Sequence, residues 1–384
     1  MTTPLLDAVR LHLAEQGGEP TPARVAAALR AQGRPLGDTE ALDAVTALRS
    51  ELVGAGPLEP LLRDPEVTDV LVNAPDEVWV DRGHGLERGA VRFADVAAVR
   101  RLAQRLATSA GRRLDDARPW VDARLPDGTR LHAVLPPVAV GSPCLSLRVV
   151  RARAFTLPEL VAAGTVDPET AALLKAMLDA RLSFMVSGGT GSGKTTLLSC
   201  LLGLADPAAR IVLAEDSAEL RPDHPHVVRL ETRPANQEGA GQVSLRDLVR
   251  QALRMRPDRL VVGEVRGAEV LDLLSALNTG HEGGCGTVHA NAAHDVPARL
   301  EALGSAAGLD RAALHSQLGA ALSSVVHLVR DASGRRRVAA VHVLDRGPDG
   351  LVRTVPALVR DGRGAAERGP GWPRLSALCS AGAS

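Results

Sequence analysis

The spacing of apolar residues along the chain predicts a change of architecture near residue 155. Residues 1–50 place Ala, Leu and Val at helical spacing between turn residues, which predicts a helical N-terminal lead. Residues 51–155 carry short β-rich runs separated by Pro, Asp and Gly around a central helix, which predicts a mixed α+β domain. Over residues 156–361, apolar strands alternate with helices, as in parallel α/β domains. Residues 362–384 are rich in Gly, Ala, Pro and Ser without clear periodicity, and predict a flexible tail.

The stretch "SLRDLVRQALRMRP" predicts a helix between two strands of the α/β domain. Ser244 and Asp247 form a capping box at its start. One apolar stripe follows, made of Leu245, Leu248, Val249, Ala252 and Leu253. We expect this helix to serve packing.

Composition narrows the possible partners. The 384 residues include 45 basic and 45 acidic side chains, and only 2% are aromatic, with no tyrosine. Because a cationic surface and aromatic stacking drive nucleic-acid binding, we expect no direct binding of nucleic acid. No apolar run approaches the roughly 18 residues of a membrane span, and the first residues do not resemble a signal peptide.

The four cysteines indicate the cellular compartment in which the protein is expected. They are widely spaced and form no CxxC pair, which argues against a zinc site and against a disulfide framework. A reducing cytoplasm is therefore the expected location.

A glycine-rich stretch, "GGTGSGKT", matches the phosphate-loop pattern in full. It follows the apolar strand "LSFMVS" and opens the helix "KTTLLSCLLGL", which is the context the motif requires. Backbone amides of such a loop surround phosphate oxygens, and the following helix adds its positive end. The predicted nucleotide-binding residues are Gly188, Gly189, Thr190, Gly191, Ser192, Gly193, Lys194, Thr195 and Thr196.

Lys194 stands out because the chain has only one other lysine, Lys175, and uses arginine elsewhere. A flexible ammonium can reach between the β- and γ-phosphates of ATP as a point charge, whereas a guanidinium is planar and bulky. The hydroxyl of Thr195 is expected to bind Mg²⁺. The sequence thus predicts a site for ATP with Mg²⁺.

Two further strands end in acidic residues. "RIVLAEDSAEL" delivers Glu215 and Asp216, and "DRLVVGEVRGAE" delivers Glu264. Hydrolysis of a phosphoanhydride needs a carboxylate that orients and deprotonates water, so Glu264 and Glu215 are both candidates. The alternative for Glu215 is a surface residue at a strand end. Gly263 stands where many nucleotide hydrolases carry an aspartate, so Mg²⁺ would rest on Thr195, the phosphates and waters held by Glu264 and Asp216.

The segment "NTGHEGGCGTVHAN" carries His281 and His289 among glycines. Two histidines at this spacing do not make a metal site without a third ligand. A histidine can instead hydrogen-bond a γ-phosphate or a catalytic carboxylate and respond to the presence of phosphate. The alternative is a structural role for either ring.

With these four segments in this order, the chain resembles the type II/type IV secretion ATPase superfamily over roughly residues 50–345. The resemblance implies a RecA-like P-loop ATPase core, preceded by a smaller α+β domain. The family's Walker A, Asp, Walker B and His boxes correspond to Gly188–Thr195, Glu215 with Asp216, Gly263 with Glu264, and His281 with His289. Segments such as "GPLEPLLRDPEVTDVLVN" look most like the Tad/Flp pilus assembly ATPases and their conjugal-transfer-type relatives.

The resemblance also implies an assembly. It implies a homo-hexamer in which the N-terminal domain covers the nucleotide and supplies arginines, here Arg130 and Arg148, to the γ-phosphate. It implies an inner-membrane platform protein as partner, and a peripheral location on the cytoplasmic face of the membrane. The tetracysteine zinc insert of type II secretion and type IV pilus extension ATPases has no counterpart here, which disfavours those branches, and Cys285 with Gly286 depart from the usual His box.

The leading hypothesis is therefore a motor that hydrolyses ATP to drive pilus assembly or protein secretion. Two alternatives remain open at this point. One is an ATP-binding regulatory or scaffold subunit with little turnover, and the other is a nucleic-acid motor on the same core.

Overall fold

The computed structural model describes residues 54–83, 85–149, 154–235, 240–331, 333–360 and 366–382. The helical lead predicted for residues 1–50 lies outside the described residues. The chain divides into two compact units, the first ending at Arg151 and the second beginning at Ala152. Among the described helices, none combines the length and the apolar character that crossing a bilayer requires.

The first unit is an antiparallel sheet packed on a helix. Its elements are α1 (Glu59–Arg63), β1 (Asp69–Ala74), β2 (Glu77–Asp81), β3 (Leu86–Arg88), α2 (Val96–Ser109), β4 (Trp120–Arg124), β5 (Arg130–Val134) and β6 (Cys144–Arg148). The strand order is β3-β2-β1-β6-β5-β4, and every neighbouring pair is antiparallel. This is the α+β domain that the alternating runs predict.

Alternation of side chains explains how this unit forms its core. In β1, β2, β5 and β6 a buried residue alternates with a more exposed one, so one face of the sheet is apolar. Helix α2 begins at Asp95, whose carboxylate accepts the amide of Ala98 at 2.6 Å. Its apolar stripe, including Leu102 and Leu106, packs on that face of the sheet.

The second unit is a three-layer α/β domain. Its strands are β7 (Phe184–Gly188), β8 (Ile211–Glu215), β9 (Val227–Glu231), β10 (Arg259–Val262), β11 (Cys285–Val288), β12 (Ser324–Arg330), β13 (Arg336–Arg346), β14 (Val352–Arg360) and β15 (Ala366–Arg368). Their order is β15-β14-β13-β12-β7-β11-β10-β8-β9. Pairing is parallel from β12 to β9 and antiparallel from β12 to β15.

Helices cover both faces of this sheet. They are α3 (Leu157–Ala162), α4 (Pro168–Asp179), α5 (Lys194–Leu202), α6 (Leu245–Ala252), α7 (Glu269–Leu277), α8 (Val296–Ala306), α9 (Arg311–Ala321) and α10 (Trp372–Ala381). Apolar residues of α3, α4, α5 and α10 form one core, and those of α6 to α9 form the other. Strands β7, β8, β10 and β11 are buried along their whole length, which is why they read as continuous apolar runs.

Helix α6 confirms the helix predicted between the second and third strands of the α/β domain. Ser244 and Asp247 make both hydrogen bonds of the capping box. Leu245, Leu248, Val249 and Ala252 are buried against the neighbouring helix and strands.

The C-terminal segment differs from the flexible tail predicted for residues 362–384. Residues 366–368 form β15, paired with β14, and α10 follows, so the α/β domain continues beyond residue 361. Leu375 is fully buried, and Trp372, Leu378 and Cys379 pack against the same core. These four residues share one helical face, which the surrounding Gly, Ala and Ser conceal in the composition.

Candidate nucleotide-binding site

Four parallel strands of the second unit bring the predicted site residues to one edge of the sheet. Ser187 of β7 pairs with Val288 of β11, and Val262 of β10 pairs with Ala214 of β8. The residues that follow these pairs are therefore neighbours at the carboxyl edge. Crevices at this edge are where open α/β sheets bind ligands.

The phosphate loop connects β7 to α5 in a conformation that requires glycine. Gly188 has φ +151°, and a Cβ there would lie 2.4 Å from the Leu328 carbonyl oxygen of β12. Gly193, which precedes α5, has φ +96°. Any other residue would strain the backbone at both ends of the loop.

The side chain of Lys194 hydrogen-bonds to the backbone of its own loop. Its ammonium donates to the carbonyl oxygens of Gly188 and Gly189, both at 2.9 Å, and the side chain is only 7% exposed. Burial lowers the pKa of Lys194, an effect that the carboxylate of Glu264 opposes. Within the described residues, the ammonium of Lys194 therefore has no carboxylate in direct contact, so its buried charge is held by neutral groups alone.

Glu264 and His289 form a pair beside this lysine. His289 Nε2 lies 2.7 Å from Glu264 Oε1 and 3.5 Å from Lys194 Nζ. The other carboxylate oxygen of Glu264 bonds the guanidinium of Arg266. Burial lowers the pKa of His289 and the charge of Glu264 opposes that shift, so the neutral ring is favoured at neutral pH. His289 thus lies beside the carboxylate of Glu264, the residue predicted to be catalytic, although Glu264 Oε1 makes no hydrogen bond within the described residues.

Glu215 is buried next to Gly263. The Glu215 side chain is 3% exposed, and burial raises its pKa to about 7. Its Oε1 accepts the amides of Leu220 at 2.9 Å and Glu219 at 3.1 Å, whereas Oε2 is buried without a partner in the described residues. Because Glu215 is enclosed, the alternative of a surface strand-end residue does not apply.

Four other predicted site residues of the second unit lie at the start of α5, after β8 and before β11. Thr195 and Thr196 lie in the first turn of α5, where Thr195 is half-buried and Thr196 exposed. Asp216 is exposed, and its carbonyl accepts the hydroxyl of Thr232. His281 precedes β11 and faces the Ala276 carbonyl at 3.3 Å, at the end of the strand opposite His289. The structure does not bring His281 to the phosphate loop.

In the first unit, the predicted arginines are direct neighbours. Arg130 of β5 pairs with Arg148 of β6 on one side and with Arg124 of β4 on the other. Arg148 Nε lies 3.1 Å from Asp69 Oδ1. Three arginines in one row repel one another, because like charges directly opposite in a sheet are destabilising. The structure therefore gives a row of cations that includes Arg124, which the sequence reasoning missed.

Two more residues of the site escaped the sequence analysis. Glu269 is 6% exposed and accepts the amides of Arg266 at 2.6 Å and Gly267 at 2.7 Å, which fixes the loop after β10. A glutamate three residues after Arg266, at a helix start, was the available signal. Arg336 donates to the Gly191 carbonyl at 2.9 Å from 145 residues away, and no local pattern indicates that contact.

A glycine loop between a buried strand and a helix, with acidic residues on adjacent parallel strands, defines a P-loop protein with a RecA-like core. The chain belongs to the family of type II/IV secretion system proteins, which it matches over residues 51–357.

Individual relatives agree with this assignment. A putative conjugal transfer protein of Mycobacterium tuberculosis is 62% identical over 326 residues, which are 83% of this chain and 92% of the relative. The conjugal transfer protein TrbB of Rhizobium radiobacter is 32% identical over 287 residues, 73% of this chain and 85% of the relative. Among solved structures, the Legionella pneumophila ATPase DotB has a TM-score of 0.52 at 18% identity, covering 84% of this chain and 85% of DotB, and supports the fold.

Proposed function

We propose that the protein hydrolyses ATP with Mg²⁺ and, as a homo-hexamer, drives pilus assembly or secretion through an inner-membrane platform protein. The observation that carries the proposal is the contact of Lys194 with the His289–Glu264 pair at the edge of the sheet. Membership of a family of secretion ATPases supports the same reaction.

Each residue of the site has a separate task in this reaction. The loop amides and Lys194 bind the phosphates, Lys194 exchanging its two loop carbonyls for phosphate oxygens. Glu264 orients and activates the attacking water, and His289 holds that carboxylate in place. Glu215 is the second candidate base, since a pKa of about 7 allows it to accept or release a proton at neutral pH.

Magnesium fits the site as a companion of the nucleotide. The described residues contain no group of three or more His, Cys, Asp or Glu side chains arranged to hold a metal ion. Thr195 lies in the first turn of α5, and its hydroxyl, which makes no hydrogen bond within the described residues, would bind an ion carried by the phosphates. The ion would offset the charge that develops on those phosphates, and Asp216 and Glu264 could hold its waters.

The arginine row supplies the rest of the charge compensation. Arg130 and Arg148 are paired across strands despite their mutual repulsion. We propose that these arginines stabilise the γ-phosphate in the transition state, in the hexamer that the family resemblance implies.

The relatives support a particular branch of the family. Two of them are described as conjugal transfer proteins, and another is the type IV secretion system protein PtlH of Bordetella pertussis, 32% identical over 308 residues. We propose the Tad/Flp and conjugal-transfer-type branch, with the protein on the cytoplasmic face of the membrane.

Phosphate release from Mg-ATP, measured over a range of protein concentrations, tests the proposal. The wild type should gain specific activity as concentration rises, because subunits must meet. Glu264→Gln should bind a fluorescent ATP analogue but lose turnover, and Lys194→Ala should lose both. A wild type that binds the analogue yet never releases phosphate would instead support the scaffold function. Turnover that rises on addition of single-stranded DNA would support a nucleic-acid motor.

A further inference from the structure

A buried histidine outside the predicted motifs contacts the strand that leads into the phosphate loop. His327 of β12 pairs with Ser187, the residue before Gly188. Its Nδ1 lies 2.9 Å from the Ser187 hydroxyl, and the two residues are 5% and 0% exposed. The imidazole therefore fixes the residue of β7 that precedes Gly188, the first glycine of the phosphate loop.

The same ring reaches the segment that carries His289. Burial lowers the pKa of His327, and the backbone of Asn291, close to the ring, opposes that shift. Asn291 is two residues beyond His289, just after β11. Since β7 lies between β12 and β11 in the sheet, the ring of His327 lies near both the phosphate-loop strand and the segment that follows β11.

Strand β12 also contacts the loop through its backbone. The carbonyl oxygen of Leu328 lies against the position that a Cβ of Gly188 would occupy. The register between β12 and β13 shifts between His327 and Leu328. The irregularity thus falls at the two residues that touch the start of the loop. Bulges of this kind redirect side chains near functional sites.

The surroundings keep the His327 ring neutral. Besides burial, His294 and Lys194 lower its pKa, and the carboxylate of Asp295 raises it. A neutral imidazole has one donor and one acceptor nitrogen on opposite sides of a rigid ring. It can therefore bond two partners at once without placing a charge in the core.

We propose that His327 is a positioning residue that links the phosphate loop to the His289 segment, so that Lys194 and Glu264 keep a fixed relative geometry. Its catalytic meaning rests on the proposed ATPase function, but the link itself does not. The ring acts through Ser187 and Asn291 and does not touch the reacting phosphate.

A matched control exists on the adjacent strands. His342 of β13 is also buried, and its Nδ1 lies 3.1 Å from the hydroxyl of Thr354 on β14. Within the described part of the chain, neither side chain of this second histidine–hydroxyl pair hydrogen-bonds to the phosphate loop or to the His289 segment. Thr354→Val therefore removes an equivalent buried hydrogen bond away from the site.

The test is amide hydrogen exchange of the nucleotide-free protein, followed at residues 188–193 and 289–292. His327→Leu should speed exchange in both segments by about tenfold or more, because local opening no longer has to break the shared bonds. Ser187→Ala should affect the first segment alone. His327→Asn, whose amide can still bond Ser187, should restore slow exchange in that segment, and Thr354→Val should change neither.

Steady-state kinetics supply the second readout. His327→Leu should lower kcat by about tenfold while KM for ATP changes by less than about threefold, since alignment rather than binding is lost. Equal exchange in wild type and His327→Leu, or a rise no larger than that of Thr354→Val, would overturn the proposal. If His327→Leu does not fold, Ser187→Ala and His327→Asn decide the outcome. If the wild type does not hydrolyse ATP, the proposed ATPase function is wrong. The hydrogen-exchange data would still test whether His327 links the two segments.

Discussion

The side chain of Glu215 occupies the space where position 263 would place its own. A Cβ on Gly263 would lie 2.6 Å from Glu215 Cγ and 3.0 Å from Glu215 Oε1. The absence of an aspartate at this point of the third strand therefore has a physical reason. The glutamate of β8 and an aspartate after β10 exclude each other, and this chain keeps the glutamate.

Gly263→Ala should destabilise the protein by about 1–3 kcal/mol, the usual cost of overpacking a core. The same substitution in a Glu215→Ala background should cost less than about 0.5 kcal/mol, because the colliding group is gone. Urea denaturation of the four proteins of this cycle measures both values. An equal cost in the two backgrounds would show that Glu215 and position 263 do not compete.

Glu215 should make stability fall as pH rises. Its pKa is near 4.5 when unfolded and about 7 when folded, so the native state binds more protons between these values. The contribution of Glu215 to the free energy of unfolding is therefore largest below pH 4.5. It declines by about 3 kcal/mol between pH 4.5 and pH 7 and does not change further above pH 7. Glu215→Gln should remove this decline. Denaturation at a series of pH values tests it, and parallel curves for wild type and variant would contradict the burial effect.

Lys194→Met should weaken binding of a fluorescent ADP by more than about tenfold, because a point charge on the phosphates is lost. Stability should stay within about 1 kcal/mol or increase, since burial already disfavours this cation. Lys175→Met is the matched control, as Lys175 is 54% exposed and paired with Asp179. Titration and thermal unfolding separate the two effects. Equal affinities of the two variants would remove Lys194 from the site.

Arg130→Thr should lower phosphate release by about tenfold or more, because it removes a positive charge from the row that Arg124, Arg130 and Arg148 form across three strands.

Arg88→Thr, on the edge strand β3, controls for loss of a strand arginine. Turnover assays compare the two variants, and melting curves verify that both are folded. An Arg130→Thr variant that hydrolyses ATP as fast as the wild type would show that Arg130 does not act in the reaction.

Leu375→Ala should destabilise the protein by about 2–5 kcal/mol, because the side chain is fully buried between α10 and the core. Ser376→Ala, at the exposed neighbouring position, should change stability by less than about 0.5 kcal/mol. Chemical denaturation measures the free energy of unfolding of both variants. Similar stabilities would mean that α10 contributes little to the domain, as the composition of this segment first indicated.

The sequence was most informative where one local motif determines local geometry. The phosphate loop and the capping box of α6 depend on neighbouring residues, so their patterns were sufficient. His281 and His289 lie in one glycine-rich segment, but β11 between them is extended, so the two histidines lie at opposite ends of this strand. A spacing in sequence does not report that separation unless the strand is recognised.

Contacts between distant segments were not predictable in the same way. Arg336 at Gly191 and His327 at Ser187 depend on β12 lying beside β7, which is a matter of strand order. The packing of Glu215 against Gly263 depends on β8 and β10 being neighbours. Nothing in the residues alone specifies these pairings.

The strand order has a consequence for the solubility of the second unit. One edge strand of the sheet is β15, which has three residues. The other edge strand is β9, in which the exposed Arg229 and Glu231 interrupt the apolar residues. Short or charged margins are poor templates for an additional strand from another molecule. The antiparallel extension beyond β12 thus shields the apolar centre of the sheet from intermolecular β-pairing and aggregation.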